Sequence, residues 1–400
     1  MRWSRVAKWM ASIALGLLPI LLWAPNANAY AWMIRHGYTG CATCHDDPSG
    51  AGVLSDYGRA QGELLLRSRY PGEATGEASP LGGFLWGAVP LPDALHLGGG
   101  VREAWMSLKM EGAPVQQQWI TMQADVSASL KLQRFRAEGT IGYAPVGALA
   151  ASLTRAPSDN LVSRDHWIGY ALDEDSAWLL RAGRIALPFG IRNIEHDLFA
   201  RGLTRTDIND TQQYGAALSM SQEKLRGELM AIAGNYQVRP DAYRERGYSG
   251  YLEFAPTNTL AMGVSSLFTR AEKDIKYGVT NYRQAHGLFV RSVPLANVVI
   301  MAEGDWVYQS LQWQGHRGGY AGFVQVDWEL VQGVHVMGTG EMMNGGAAGE
   351  PPSVGGWFSS VWFFAPHADI RLDEVYQVLG SPGGGTSTAA TLLAQIHAYL

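Results

Sequence analysis

The sequence predicts an all-β protein: an antiparallel transmembrane β-barrel of about 16 strands over residues 94–400, preceded by a small, mostly α and coil module. Three observations carry this. Apolar and polar residues alternate with a period of two in one segment after another beyond residue 94. The links between those segments alternate between short and long. No stretch supplies the roughly 20 uncharged apolar residues that a membrane helix needs.

Residues 1–29 read as a secretory signal peptide. Arg2, Arg5 and Lys8 precede the apolar stretch Ala11 to Trp23, and Ala27-Asn28-Ala29 offers a small-x-small cleavage site. At 13 residues the stretch is too short to span a bilayer as a helix. Removing the signal takes away three cations and no acid, moving the formal net charge from -5 to -8, which argues against nucleic acid as a partner.

Residues 30–93 form the second unit, rich in Gly and Pro, with a helix predicted over Asp56 to Arg69. Its most informative feature is Cys41-Ala42-Thr43-Cys44-His45, because Cys-x-x-Cys-His is the attachment signature of a c-type haem. Both cysteines of the chain are spent on this motif. Cys41 and Cys44 would form the two thioether bonds and His45 would supply the proximal iron ligand. A Cys41 to Cys44 disulfide, a zinc half-site and a chance match compete with this reading. A zinc site wants about four ligands in paired clusters, and a thioredoxin-like pair wants a βαβ context. Neither pattern is present, so the expected cofactor is one covalent haem c and the unit is expected to be a monohaem cytochrome c module. An iron that changes state without changing ligands needs a sixth ligand. His36, five residues before Cys41, and Met33 are the candidates, with His96 just beyond the module; an open sixth position would favour peroxide or gas chemistry.

From about His96 the period changes. Tyr214, Ala216, Leu218 and Met220 alternate with Gln213, Gly215, Ala217, Ser219 and Ser221. Tyr320, Gly322, Val324, Val326, Trp328 and Leu330 oppose Gln325, Asp327 and Glu329, while Val298, Ile300, Ala302, Trp306 and Tyr308 oppose Glu303 and Asp305. Ala104, Met106, Leu108 and Met110 oppose Glu103, Ser107 and Lys109. A water-soluble sandwich or propeller would also alternate, but its strands would be joined by loops of mixed length. Here short links fall at Asp173 to Ala177, Gln222 to Lys224, Thr257-Asn258, Pro294 to Asn297, Gln332-Gly333 and Ala365 to His367. Between them lie longer ones: Val146 to Ser163, Ala186 to Gln212, Asn235 to Gly247, Arg270 to Thr280, Gln309 to Gly318, Asn344 to Val354 and Leu379 to Ala389. Such a layout is that of an outer-membrane barrel with periplasmic turns and extracellular loops. An even strand count puts both barrel ends on the periplasmic side, and 14 Trp and 17 Tyr suit two interfacial aromatic girdles. The last strand ends on Leu400 where barrel proteins usually end in an aromatic residue.

The run Tyr38-Thr39-Gly40-Cys41-Ala42-Thr43-Cys44-His45, followed by Pro48-Ser49-Gly50 and Tyr57-Gly58-Arg59, resembles the fused monohaem cytochrome and porin proteins of the bacterial outer membrane. That architecture is shared with the outer-membrane iron oxidases. In layout the resemblance covers the whole mature chain, and it is specific over about Gly37 to Arg59. Gly183-Arg184 with Leu187-Pro188-Phe189-Gly190-Ile191-Arg192 is similar to a motif of porin-like barrels. The iron oxidases carry Phe-Gly-Arg after the haem motif, whereas this chain has Tyr57-Gly58-Arg59 after a longer, glycine-containing spacer. The resemblance therefore implies electron transfer at the outer membrane and stops short of implying iron oxidation.

Two further groups are singled out. Arg192, His196 and Arg201 lie in the longest long-side loop, which could fold inward and hold a haem propionate; solvated loop charges are the plainer reading. Glu103, Glu303, Asp305, Asp327, Glu329, Glu341 and Asp373 are expected to face the lumen, where acids favour cations.

Two functions follow. One is an electron conduit through a single haem, with a soluble periplasmic cytochrome or other carrier on one side, an extracellular donor or acceptor such as Fe(II) on the other, and outer-membrane lipid around the barrel. The other is a diffusion porin in which the module is a plug, gate or sensor. No catalytic residue is assigned: an oxidoreductase acting on an extracellular metal stays open, and an electron carrier is the expectation.

Overall fold

In the computed structural model of the chain the described residues are 28–29, 31–71, 83–143, 161–174, 176–192, 195, 197–207, 211–234, 245–274 and 276–400. The expected signal peptide through Ala27, most of the loop Val146 to Ser163, His196 and most of Asn235 to Gly247 lie outside them.

Alternation at this length can satisfy every backbone group only by pairing strand to strand until the sheet closes, because no water is available in a bilayer. The chain does this. A two-stranded element, β1 (Asn28–Ala29) with β2 (Ile34–Arg35), and helix α1 (Asp56–Gln61) precede the barrel. The barrel strands are β3 (Leu95–Met110), β4 (Gln116–Leu132), β5 (Phe135–Tyr143), β6 (Leu161–Ala171), β7 (Trp178–Ile185), β8 (Gln213–Ser221), β9 (Leu225–Gly234) and β10 (Glu245–Thr257). They continue as β11 (Leu260–Ala271), β12 (Asn281–Leu295), β13 (Val298–Leu311), β14 (Gly315–Val331), β15 (Val334–Asn344), β16 (Ser353–Ala365), β17 (Ala368–Gly380) and β18 (Thr386–Tyr399). Each pairs antiparallel with its neighbour in sequence, and β18 closes the ring on β3, from Tyr399 opposite Gly100 to Ala389 opposite Met110. Between β7 and β8 a short helix α2 (Phe199–Thr204) interrupts the long link.

The wall is inverted relative to a soluble protein. Leu288, Trp306, Val324 and Trp328 are exposed on the outside while Asp305, Gln325 and Asp327 on the same strands are buried inside. Facing apolar side chains outward is favourable only against lipid. The strand count and the antiparallel barrel match the expectation; three details differ. The predicted helix over Asp56 to Arg69 is α1 followed by one π-helical turn at Gly62–Leu66, after which Arg67 is extended. The expected long links Gln309 to Gly318 and Leu379 to Ala389 shrink to 312–314 and 381–385, because the flanking strands keep pairing beyond the apolar zone. Finally, Glu103 pairs with Ile396, which is half exposed on the outer face, so Glu103 faces outward rather than into the lumen. Alternation separates two faces without labelling them, and on β3 the inward face is the apolar one that holds Ala104.

The lumen is largely filled. Trp32, Met33 and Ile34 pack with Leu66, Leu198, Phe289, Val299, Met301, Phe323, Met337 and Phe363 in one apolar cluster. Trp167, Leu179, Leu187, Phe189, Met230 and Leu267 form a second. Apolar side chains on the inner face of β12 to β16 are accommodated because the N-terminal segment covers them, which removes their surface from water at about 25 cal/mol per Å².

Candidate functional site

The N-terminal segment is fixed at many points to the inner wall near the end that carries the short turns. Arg35 lies 3.3 Å from Asp327 and 3.1 Å from His335 Nδ1, both fully buried. The Arg291 guanidinium donates to the Thr39 carbonyl at 2.9 Å. Arg59 donates to the Leu97 carbonyl, and Ser68 N–H donates to the Phe363 carbonyl at 2.9 Å.

Within this frame Cys41–Thr43 form a single 3-10 turn, and the Cys44 and His45 N–H groups both donate to the Cys41 carbonyl, at 3.1 and 2.9 Å. His45 then bridges to Leu54, and Asp46 N–H donates to the Val53 carbonyl, which folds residues 45–54 into a tight loop. Helix α1, capped by the Ser55 hydroxyl on Gly58 N–H at 3.1 Å, packs directly on the turn. A Cβ at Gly58 would collide with the Cys44 carbonyl, and one at Gly50, where φ is +81°, would sit 3.0 Å from Cys41 Sγ. These two glycines let the segment close around the cysteines. Tyr38 and Tyr57 hydroxyls meet at 2.5 Å across the same loop.

Both cysteines are free thiols. Burial pushes Cys44 up to about 11, with the neighbouring Cys41 adding to it, and burial also raises Cys41 against the opposing pull of Arg291 and Arg192. Neither is a reactive thiolate at neutral pH, which is unlike a redox pair. Burial lowers His45, although Asp47 opposes it, so the imidazole is neutral at neutral pH. Its Nδ1 is buried, and a backbone contact with Ala51 opposes the lowering as Asp47 does. A neutral imidazole is the state that binds a metal.

The structure brings some of the expected residues together and separates others. Cys44, His45 and Met33 line one cavity with about 1740 Å³ of empty space, open to solvent, together with Arg102, Arg164, Arg371 and His397. Cys41 lines a smaller one of about 580 Å³ with Arg192, Arg226, Tyr251 and Arg291. His36 lines neither: it lies beside Arg35 and His335, and burial followed by those two neighbours lowers it to about 4. His96 is held by Asp46 at 2.6 Å.

The link between β7 and β8 folds inward, contrary to the solvated reading of its charges. Gly190 N–H donates to the Ser265 hydroxyl at 2.8 Å, Ile191 N–H to Glu303 at 2.7 Å and Phe199 N–H to Glu341 at 2.7 Å. Arg201 pairs with the same Glu303, and Glu195 pairs with Arg371 at 2.8 Å. The motif ending at Arg192 thus meets Cys41 inside the barrel. Of the lumen-facing acids, Glu303, Asp327, Glu329 and Asp373 are engaged by Arg201, Arg35 and Arg371, so they neutralise the segments inside more than they present a free acidic wall. Sequence reasoning missed Asp47, Glu138, Asp165, Trp167 and Arg181, which form a buried polar group beside His45. The only signal was the pair of acids directly after His45.

No family model and no curated protein matches the chain. Solved structures match it in fold. OmpT of Vibrio cholerae superposes with a TM-score of 0.57 at 10% identity over 78% of this chain and 100% of that one. An anion-selective porin from Comamonas acidovorans gives 0.57 at 9% identity over 77% and 99%, and the outer membrane channel DcaP of Acinetobacter baumannii gives 0.55 at 8% over 76% and 97%. At these identities the likeness concerns the barrel, which is porin-like.

Proposed function

We propose that this chain is an outer-membrane barrel whose N-terminal segment binds one haem c through Cys41, Cys44 and His45 and passes electrons across the membrane. The observation that supports this most is His45: neutral, one residue after a free Cys44 on the wall of a cavity inside the barrel. Bound there, a haem supplies a one-electron couple at its iron. The chain's own residues do the rest. Cys41 and Cys44 Sγ would anchor the group and His45 would hold the iron from one side. Met33 is the better candidate for the other side than His36, because Met33 shares the cavity. Arg102 offers charge to a carboxylate in that cavity, whereas Arg164 and Arg371 are already paired with Asp125 and with Glu195 and Asp373. The apolar clusters around Trp32 and Trp167 fill part of the lumen beside the cavities. A soluble periplasmic carrier would dock at the short-turn end, and an external donor or acceptor, with Fe(II) one such ion, at the other.

A diffusion porin with a plug is the second reading, and the likeness to porins favours it at the level of the barrel. The Cys-x-x-Cys-His motif on the cavity wall favours the first. Reconstitution into liposomes with a trapped redox dye separates them: wild type is expected to pass electrons faster than His45→Ala that still forms the barrel. Equal rates, with rapid solute swelling in both, would leave the porin.

A further inference from the structure

We propose a divalent-cation site, most suited to Ca²⁺, formed by Asp47 of the N-terminal segment with Glu138 of β5 and Asp165 of β6. The site shares the larger cavity with the proposed haem but draws none of its ligands from it.

The three carboxylates come from separate parts of the chain, yet each offers an oxygen within 4.8 Å of the others, and all three residues are at least nine-tenths buried. Three acids in contact are by themselves no site; their unsatisfied oxygens are the second observation. Glu138 Oε1 accepts from Val53 N–H at 3.2 Å, but Oε2 has no partner among the described residues, and neither has Asp165 Oδ2. Buried carboxylate oxygens left without donors are costly and rare. The donors nearby are few as well. Arg181 is the cation in contact with the group, and it is already shared between Asp47 at 2.5 Å and Glu228 at 2.7 Å. Four carboxyl groups around one guanidinium leave Glu138 Oε2 and Asp165 Oδ2 without donors among the described residues, and a dication would meet them.

The donor set selects the ion. All ligands are hard oxygens, which excludes a preference for soft metals. Asp47 keeps lone pairs after accepting from Ser49 N–H at 2.6 Å and Trp167 Nε1 at 2.8 Å. Ca²⁺ tolerates irregular sets of six to eight oxygens completed by water, whereas Mg²⁺ demands a near-ideal octahedron. Asp47 and Asp165 also line the larger cavity, which gives an ion a path in. A Cβ at Gly52 would land on Glu138 Oε1, so glycine is needed for the loop to approach the cluster. The cation would clamp the loop after His45 to the barrel wall.

The test uses full-length protein in detergent, stripped with chelator and titrated calorimetrically with CaCl₂ alone. One Ca²⁺ per chain with Kd below about 1 mM is expected, weakened at least about tenfold by Glu138→Gln with Asp165→Asn. Tb³⁺ supplies a second readout: its emission, sensitised through Trp167, should saturate, fall on adding Ca²⁺ and fall in Asp165→Asn alone. The latter serves if the double variant fails to fold. Absence of saturable uptake by wild type, or uptake unchanged in the variants, would overturn the proposal.

Discussion

The Arg181 guanidinium, on the inner wall, donates to Asp47 Oδ2 at 2.5 Å, and both side chains are about 1% exposed or less. Asp47 is two residues after His45. This buried ion pair is one of the contacts that hold the motif in the barrel.

Replacing Arg181 by Met strands two buried carboxylates, Asp47 and Glu228, and should weaken docking of the N-terminal segment by about 3–5 kcal/mol. Limited proteolysis in detergent reads this directly. Residues 31–71 should become cleavable while the barrel keeps its heat-resistant gel mobility.

Cys41→Ala with Cys44→Ala should give a folded barrel that carries no covalent haem by in-gel stain, against a stained wild type. In the same preparation Met33→Leu should change the oxidised and reduced spectra, and His36→Leu should leave them alone. The opposite pattern would move the distal ligand to His36.

Glu303 accepts from Ile191 N–H and pairs with Arg201, so Glu303→Gln should loosen the inward link by about 1–3 kcal/mol. Single-channel recordings in planar bilayers should show larger or noisier conductance. Unchanged currents would mean that the link does not limit the pore.

Leu288 is 68% exposed in the middle of β12 and faces outward. Leu288→Arg should destabilise the barrel by about 2–4 kcal/mol in vesicle-based denaturant unfolding. A neutral outcome would contradict a lipid-facing wall.

Burial beside Arg35 and His335 holds His36 at about 4 in the folded chain against an ordinary 6.5. Between those values the unfolded segment binds more protons than the folded one, so docking should weaken as pH falls from about 6.5 to about 4, level off below, and be unaffected above. The His36→Gln variant should lose that part of the pH dependence in the proteolysis assay. Coincident curves for the two proteins would refute the assignment.

The barrel was legible because a period of two, repeated over some 300 residues, leaves few other ways to satisfy the backbone. Cys41, Cys44 and His45 were legible because a five-residue motif is local. What surrounds them was not. Asp47 meets Arg181 across 134 positions and Val53 meets Glu138 across 85, and no local pattern encodes a pairing between an N-terminal loop and a strand far along the chain. Glu103 was misplaced for a related reason: its face follows from register with β18, nearly 300 residues away. The inward course of the link after β7 is likewise decided by Glu303 and Glu341, which wait on other strands.

The ring closes where β3 meets β18, the first barrel strand against the last. A cylinder sealed by its final strand is finished only when synthesis is finished, whereas the segment it encloses is made first. Cys41 and Cys44 are both only part-buried, and Cys44 lines a cavity open to solvent, so the seam leaves the order of barrel closure and covalent modification free.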